Sequence, residues 1–320
     1  MTIQLQEVDK VEVLTLQDNT IDIAANDGTE VVQRASSEDS RGNRVSILAE
    51  HGFSAVVSVF EQERAHKVLF DFGFSETGAL QNARTMGVEL SGVEALVLSH
   101  GHIDHHGGLP AILRHIGRKG IELVVHPAAF RDARYLKISD ARAIRLPTPD
   151  RERLEREGAR VVEAAQPRLL LGGRLLFLGE IPRRTAFEKG MPKARYKAGG
   201  EEAFDAIEDD SAVVAHVRGR GLVVLSGCAH SGIVNTVTHA REVTGVERIF
   251  AIMGGFHLTG PDAAEAVEPT VAALQAFAPH FIAPTHCTGR KAIARIEQAM
   301  PDQFLLNMSG TKMVFANSNG

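Results

Sequence analysis

Cysteine is nearly absent from this chain of 320 residues, which carries only Cys228 and Cys287. Two thiols are too few for a disulfide framework. Each stands beside a histidine, in "GCAH" and "THCTG", a neighbourhood suited to metal binding. An excess of basic charge is also missing. With 35 Lys and Arg against 40 Asp and Glu, the formal net charge is -5, without the polybasic signature of a nucleic-acid binder. No segment approaches the roughly 20 apolar residues that span a bilayer, and "MTIQLQEVDK" lacks the basic-then-apolar pattern of a secretory signal. The expectation is therefore a cytoplasmic protein without a nucleic-acid or membrane partner. Neither a G-x-S-x-G elbow nor a G-x-x-x-x-G-K-[ST] phosphate loop occurs, although Ser99 and Ser226 lie at strand ends. No clustered cysteines point to iron–sulfur chemistry, and no fixed-period repeat points to a solenoid.

What is present is a run of short apolar segments rich in β-branched residues: "VEVLTL", "SAVVSVF", "KVLFDFG", "VEALVLS", "IELVVH", "RLLFLGE", "SAVVAHV", "GLVVLSG" and "RIFAIMGG". These read as strands. Helical patterns lie among them at "SETGALQNARTMG", "GLPAILRHIGRKG", "GIVNTVTHAREVTG", "PDAAEAVEPTVAALQAFAP" and "RKAIARIEQAMP". Hairpins early and β/α units later suggest an α/β fold of two sheets covered by helices. Residues 131–168 and 183–202 break the pattern and read as insertions over one face of the core, where binding loops usually sit.

The densest chemistry is "SHGHIDHHGG", residues 99–108, directly after an apolar strand. His100 and His102 alternate, so at an extended strand end both point one way and can hold one metal ion. Asp104 and His105 follow after a turn and can face a second ion. Imidazoles with one carboxylate suit zinc or another first-row metal such as manganese or iron, whereas magnesium and calcium favour an oxygen shell. His106 reads as a supporting or solvent-facing residue.

"HGHIDH" resembles the H-x-H-x-D-H signature of the metallo-β-lactamase superfamily, and Asp71 of "LFDFG" falls about 30 residues upstream, where that superfamily has its first motif. Further stretches around His51, at 178–183, and in "LSGCAHSGIVNT", "GGFHL" and "PTHCTG" resemble a subgroup. Its members are like the 7,8-dihydropterin-6-methyl-4-(β-D-ribofuranosyl)aminobenzene-5'-phosphate synthases. The resemblance covers about residues 10–315. It implies one domain over 1–320, folded as a four-layer αβ/βα sandwich with two divalent metal ions at the rim between the sheets.

On that resemblance, His286 is the late ligand and His230 a further one. Cys228 stands where the superfamily places a bridging aspartate, either as a ligand or as a small core residue. Glu180 occupies the stretch of the middle histidine, and either ligates, orients a ligand, or pairs with Arg183 or Arg184. His257 and His51 are assigned to the substrate side. Between Arg183 and Lys197 six basic residues meet one acid. This is a solvated loop or a means of steering an anionic, for instance phosphorylated, small-molecule substrate through Arg183, Arg184 and Lys193.

The leading expectation is a hydrolase in which metal-activated water attacks an ester, phosphoester or related bond, with Asp104 and His257 as catalytic residues. Alternatives are a transferase that releases diphosphate, as the synthase resemblance implies, and a ligand-binding protein without turnover.

Overall fold

The strand Lys10–Gln17 shows how the layers arise from the sequence. Its side chains alternate between faces, sending Val11 and Val13 into one apolar cluster and Leu14 and Leu16 into another. Gly221–Ser226 does the same: Val223 and Leu225 join the cluster of Val11 and Val13, while Leu222 and Val224 face the opposite side. The shared cluster is the core between two sheets. The computed structural model describes residues 2–36, 38, 42, 43 and 45–317.

Among the described residues, one sheet has eight strands in the order Ala159–Glu163, Ile121–Val125, Ala95–Val97, Arg64–Phe70, Ser54–Glu61, Lys10–Gln17, Lys312–Ala316 and Val32–Gln33. The other runs Arg168–Leu170, Leu175–Phe177, Ala212–Val217, Gly221–Ser226, Ile249–Gly255 and Phe281–Thr285, with Glu7–Val8 pairing alongside Ala212–Val217. Helices Gly78–Thr85 and Leu109–Ile116 cover the first sheet through Ala79, Ala83, Leu109 and Ile112. Helices Ile233–Thr244, Val267–Phe277 and Arg290–Ala299 cover the second through Ile233, Val237, Leu274 and Ile296. The result is the four-layer αβ/βα sandwich implied by the resemblance.

The two irregular stretches meet each other. Arg134–Ser139 and Arg142–Leu146 from the first, with Ala194–Ala198 and Glu201–Phe204 from the second, form a separate four-stranded antiparallel sheet. The end of the first stretch belongs elsewhere: Ala159–Glu163 pairs parallel with Ile121–Val125 as an edge strand of the large sheet. Its charged residues conceal it, because only one face of an edge strand needs to be apolar. Phe281–Thr285 was also not apparent, since Pro284 usually argues against a strand interior. Here it pairs parallel with Ile249–Gly255 on the sheet border.

Strand direction creates the site. Arg64–Phe70, Ala95–Val97 and Ile121–Val125 run parallel, as do Gly221–Ser226, Ile249–Gly255 and Phe281–Thr285. Residues immediately after parallel strands collect at one edge of a sheet. These are Asp71, Ser99, His100 and His126 on one side, and Cys228, His230, His257 and His286 on the other.

Candidate metal centre

The two sheet edges touch at Gly227, where a Cβ would lie 2.1 Å from Ser99 Oγ and 2.8 Å from Asp71 Oδ2. Only glycine permits that approach. Asp71, Ala229, His257 and His286 all hold positive φ, between 44° and 55°. For residues with a Cβ this conformation is strained, and such strain gathers at functional sites.

Two donor sets result. Asp104, His105, Cys228 and His286 present ligand atoms within 4.8 Å of one another, as do His100, Cys228 and His230. Cys228 belongs to both. The His102 ring packs 4.6 Å from that of His100 and 4.7 Å from that of His230, beside the second set. Its Nε2 is buried without a hydrogen-bond partner, as is Nδ1 of His230.

Hydrogen bonds fix how several rings face the centre. Asp71 accepts from Ser99 N at 2.7 Å, Ser99 Oγ at 2.7 Å and His105 Nδ1 at 2.6 Å. His105 Nε2 is thereby turned to Cys228 Sγ, 3.0 Å away. Since Ser99 Oγ donates to Asp71, it accepts from His100 Nδ1 at 2.9 Å, leaving His100 Nε2 to face His230 Nε2 at 3.2 Å. Asn19 Oδ1 accepts from Gly52 N and, at 3.0 Å, from His286 Nδ1. The lone pair of His286 Nε2 then faces Asp104 Oδ2 at 3.4 Å, buried and without a hydrogen-bond partner. A lone pair opposed to a carboxylate is repulsive unless a cation lies between them. Carboxylate- or amide-oriented imidazoles are the arrangement that metal ligands require.

Charge follows the same plan. Burial opposes a charge on His105, but the Asp71 and Asp104 carboxylates outweigh it and raise its pKa to about 9. A metal ion must displace that proton. Burial works against ionised Asp104 too, yet the charge on His105 and the hydrogen bond from His51 hold it well below the usual carboxylate range. Burial depresses His100 and His230 strongly and His102 to about 4, which keeps all three neutral. Burial pushes the Cys228 thiol well up.

Residues not singled out from the sequence complete the frame. Asp209 accepts from Gly101 N at 2.7 Å, between the two histidines of the motif. It is held in turn by Arg134, whose buried guanidinium also meets Asp205 at 2.9 Å. Asp210 accepts from Ser231 N at 2.8 Å, just after His230. Asp18 accepts from Thr285 and from the backbone N of His286. A short-range signal was available only for Asp209 and Asp210, an acidic pair directly before a strand.

The remaining candidates lie in different places. His51 is exposed and points Nε2 at Asp104 Oδ2, 3.3 Å away. His257 packs its ring 4.3 Å from His230. His106 is buried and bonds to Pro147 O. Glu180, expected to ligate or orient, is more than half exposed and faces His126 at 4.0 Å, outside both donor sets. Arg183, expected at the substrate, gives its guanidinium to the carbonyls of His230 and Ala206. Arg184 pairs with Glu242 on the surface helix Ile233–Thr244. Of the three basic candidates, Lys193 borders a cavity that His257 also lines.

Comparison with known proteins agrees with this geometry. The metallo-beta-lactamase superfamily model matches residues 52–241. The chain is 31% identical to the 7,8-dihydropterin-6-methyl-4-(beta-D-ribofuranosyl)-aminobenzene-5'-phosphate synthase of Methanocaldococcus jannaschii, over 80% of this chain and 87% of that protein. It is 28% identical to an uncharacterized protein of the same organism, over 78% of this chain and 89% of that one. The crystal structure of Tm1679, a metal-dependent hydrolase of the beta-lactamase superfamily, superposes with a TM-score of 0.71 at 25% identity, covering 96% of this chain and all of that one. The fold, the motif and these matches place the chain in the metallo-β-lactamase superfamily.

Proposed function

We propose that the protein is a metal-dependent hydrolase acting on an ester, phosphoester or related bond of an anionic small molecule. The observation that carries this reading is the pair of donor sets joined at Cys228, with the His286 lone pair aimed at Asp104. The residues present fit divalent metal. His100, His102, His230 and Cys228 would hold one ion, and Asp104, His105, His286 and Cys228 the other. Imidazole and thiolate donors favour zinc, with manganese or iron as substitutes. When bound, such ions supply Lewis acidity and lower the pKa of water.

The chain's own residues supply the rest. Asp104 stays ionised, and with Oδ2 directed at His286 and His51 its other oxygen accepts a hydrogen bond from the attacking water, which orients it. His257, depressed to about 4 by burial, is neutral, and so serves as a hydrogen-bond donor to developing negative charge on the substrate. His51, exposed beside Asp104, meets the substrate from the solvent side. Lys193, which borders a cavity that His257 also lines, contributes positive charge there. The phosphate in the name of the Methanocaldococcus jannaschii relative supports an anionic substrate. Free thiols at Cys228 and Cys287 suit a cytoplasmic location, and no described helix is long and apolar enough to cross a membrane.

The 31% identity to a synthase favours a second reading, a transferase that releases diphosphate. Stripping and reloading the protein with zinc, then assaying phosphomonoesters, phosphodiesters and diphosphate esters in isotopically labelled water, separates the two. Hydrolysis predicts metal-restored turnover that places solvent oxygen in the product and is lost in His102→Ala. Diphosphate released only with an aromatic acceptor present would establish the transferase. Full activity in metal-free His102→Ala would refute both, and ligand retention without turnover would mark a binding protein.

A further inference from the structure

His257 has two sides. One packs against the His230 ring at 4.3 Å, and the other lines a cavity of about 390 Å³ with Leu136, Ile138, Met191, Pro192 and Lys193. Leu136 and Ile138 come from the separate small sheet, and Met191 and Pro192 from the segment leading into its strand Ala194–Ala198. A narrower void lined by His230, Phe256 and His257 shares Gly190, His257 and Ala263 with the cavity, so His257 borders both and the cavity lies next to the void that reaches His230. Its volume lies in the range of small-molecule sites, which are apolar with a few placed polar groups. Here those groups are His257, Thr259 and Lys193. Ile138 remains 43% exposed, although Leu136 on the same strand is partly covered. An apolar wall left open beside a reactive centre fits a ligand better than it fits water.

We propose that this cavity binds an apolar, ring-sized group of the substrate, with the scissile bond on the metal side of His257 and the small sheet as the wall that selects the group. The inference rests on the hydrolytic reading of the metal centre and adds the chemical class of what is attached to the reacting bond. His257 links the two, since its ring packs on His230 and the residue lines the cavity.

The test compares binding of naphthyl phosphate and methyl phosphate to the zinc-loaded full chain by calorimetry. The aryl ester binds more tightly by about tenfold or more, as burial of a ring requires. Ile138→Asp removes that advantage and leaves methyl phosphate binding unchanged. Phe204→Ser, an exposed change elsewhere on the same sheet and outside the cavity lining, alters neither. Equal affinity for the two esters, no binding of either, or an aryl preference that survives both Ile138→Asp and Met191→Asp would overturn the inference. Zinc uptake by the same samples separates the failures. Normal uptake without aryl preference defeats the cavity alone, whereas loss of uptake in the parent chain defeats the hydrolytic reading beneath it.

Discussion

Asp71 shows how much one carboxylate organises at this rim. It receives Ser99 through both its amide and its hydroxyl, and through that hydroxyl and His105 it orients imidazoles of both donor sets. Replacing it by Asn keeps the size but turns one oxygen into a donor that meets other donors. Asp71→Asn should therefore weaken metal affinity by about 10- to 100-fold, measured by competition with a chromogenic chelator, while the circular dichroism spectrum is retained. An unchanged affinity would show that His105 and His100 do not depend on it.

The histidines also predict a pH profile for the metal-free protein. Burial pushes His102, His106 and His257 each to about 4, and His100 and His230 well below their ordinary value. On unfolding they take up protons below about 6.5, so stability falls as pH drops from about 6.5 toward 4. The buried carboxyls Asp210, raised to about 6, Asp18 and Glu188 oppose this over the acid part of the window, but they are fewer. His105 acts at the other end. Its pKa is raised to about 9, so its contribution is complete below about 6.5 and is lost as pH rises through 9. The melting temperature should thus peak near pH 6.5 and fall on both sides; a steady rise from about pH 5 to pH 9 would contradict it.

At the scale of elements, the small sheet is tied to the metal motif through one buried cation. Arg134, on the strand Arg134–Ser139, holds Asp209, and Asp209 holds Gly101 between His100 and His102. Breaking a buried pair strands the other charge, so Arg134→Met should cost about 3–5 kcal/mol in urea denaturation and also lower metal affinity. A loss below about 1 kcal/mol would show that the pair is not the link. Gly101 has its own requirement, because an added Cβ would lie 2.3 Å from Ala129 O. Most of this was not legible in the sequence. Asp209 and Gly101 are 108 positions apart, and His286 and Asn19 are 267 apart. Neither pair belongs to a local pattern. Three of the six donors were plain from the motif, since His100, Asp104 and His105 lie within one strand end and one turn, next to His102. The basic run from Arg183 was open to two readings, a solvated loop or anion steering; its charge was plain, but the carbonyls of His230 and Ala206 that take up Arg183 were not.

For the whole molecule, the alternation of Val11, Val13, Val223 and Leu225 made the two-sheet core readable, whereas Arg160 and Glu163 and the lack of clean alternation hid the edge strand Ala159–Glu163. The sheets are held together by a core that includes Phe70, Phe177 and Phe315, all fully buried. Phe315→Ala should cost about 3–5 kcal/mol while leaving metal stoichiometry unchanged, because the ring packs against Phe250 and Phe281 rather than against the donors. A fall in stoichiometry would mean that the rim depends on that packing.

The central proposal is that the two donor sets meeting at Cys228 would hold divalent metal. The most direct measurement is cobalt titration of the metal-free protein followed by its near-ultraviolet thiolate-to-metal absorption, for the parent chain and for Cys228→Ser. The account predicts two cobalt equivalents in the parent with strong thiolate absorption, and in Cys228→Ser loss of that absorption with weakened binding of both equivalents. Two tightly bound equivalents without thiolate absorption, or a Cys228→Ser variant that binds both as the parent does, would contradict it.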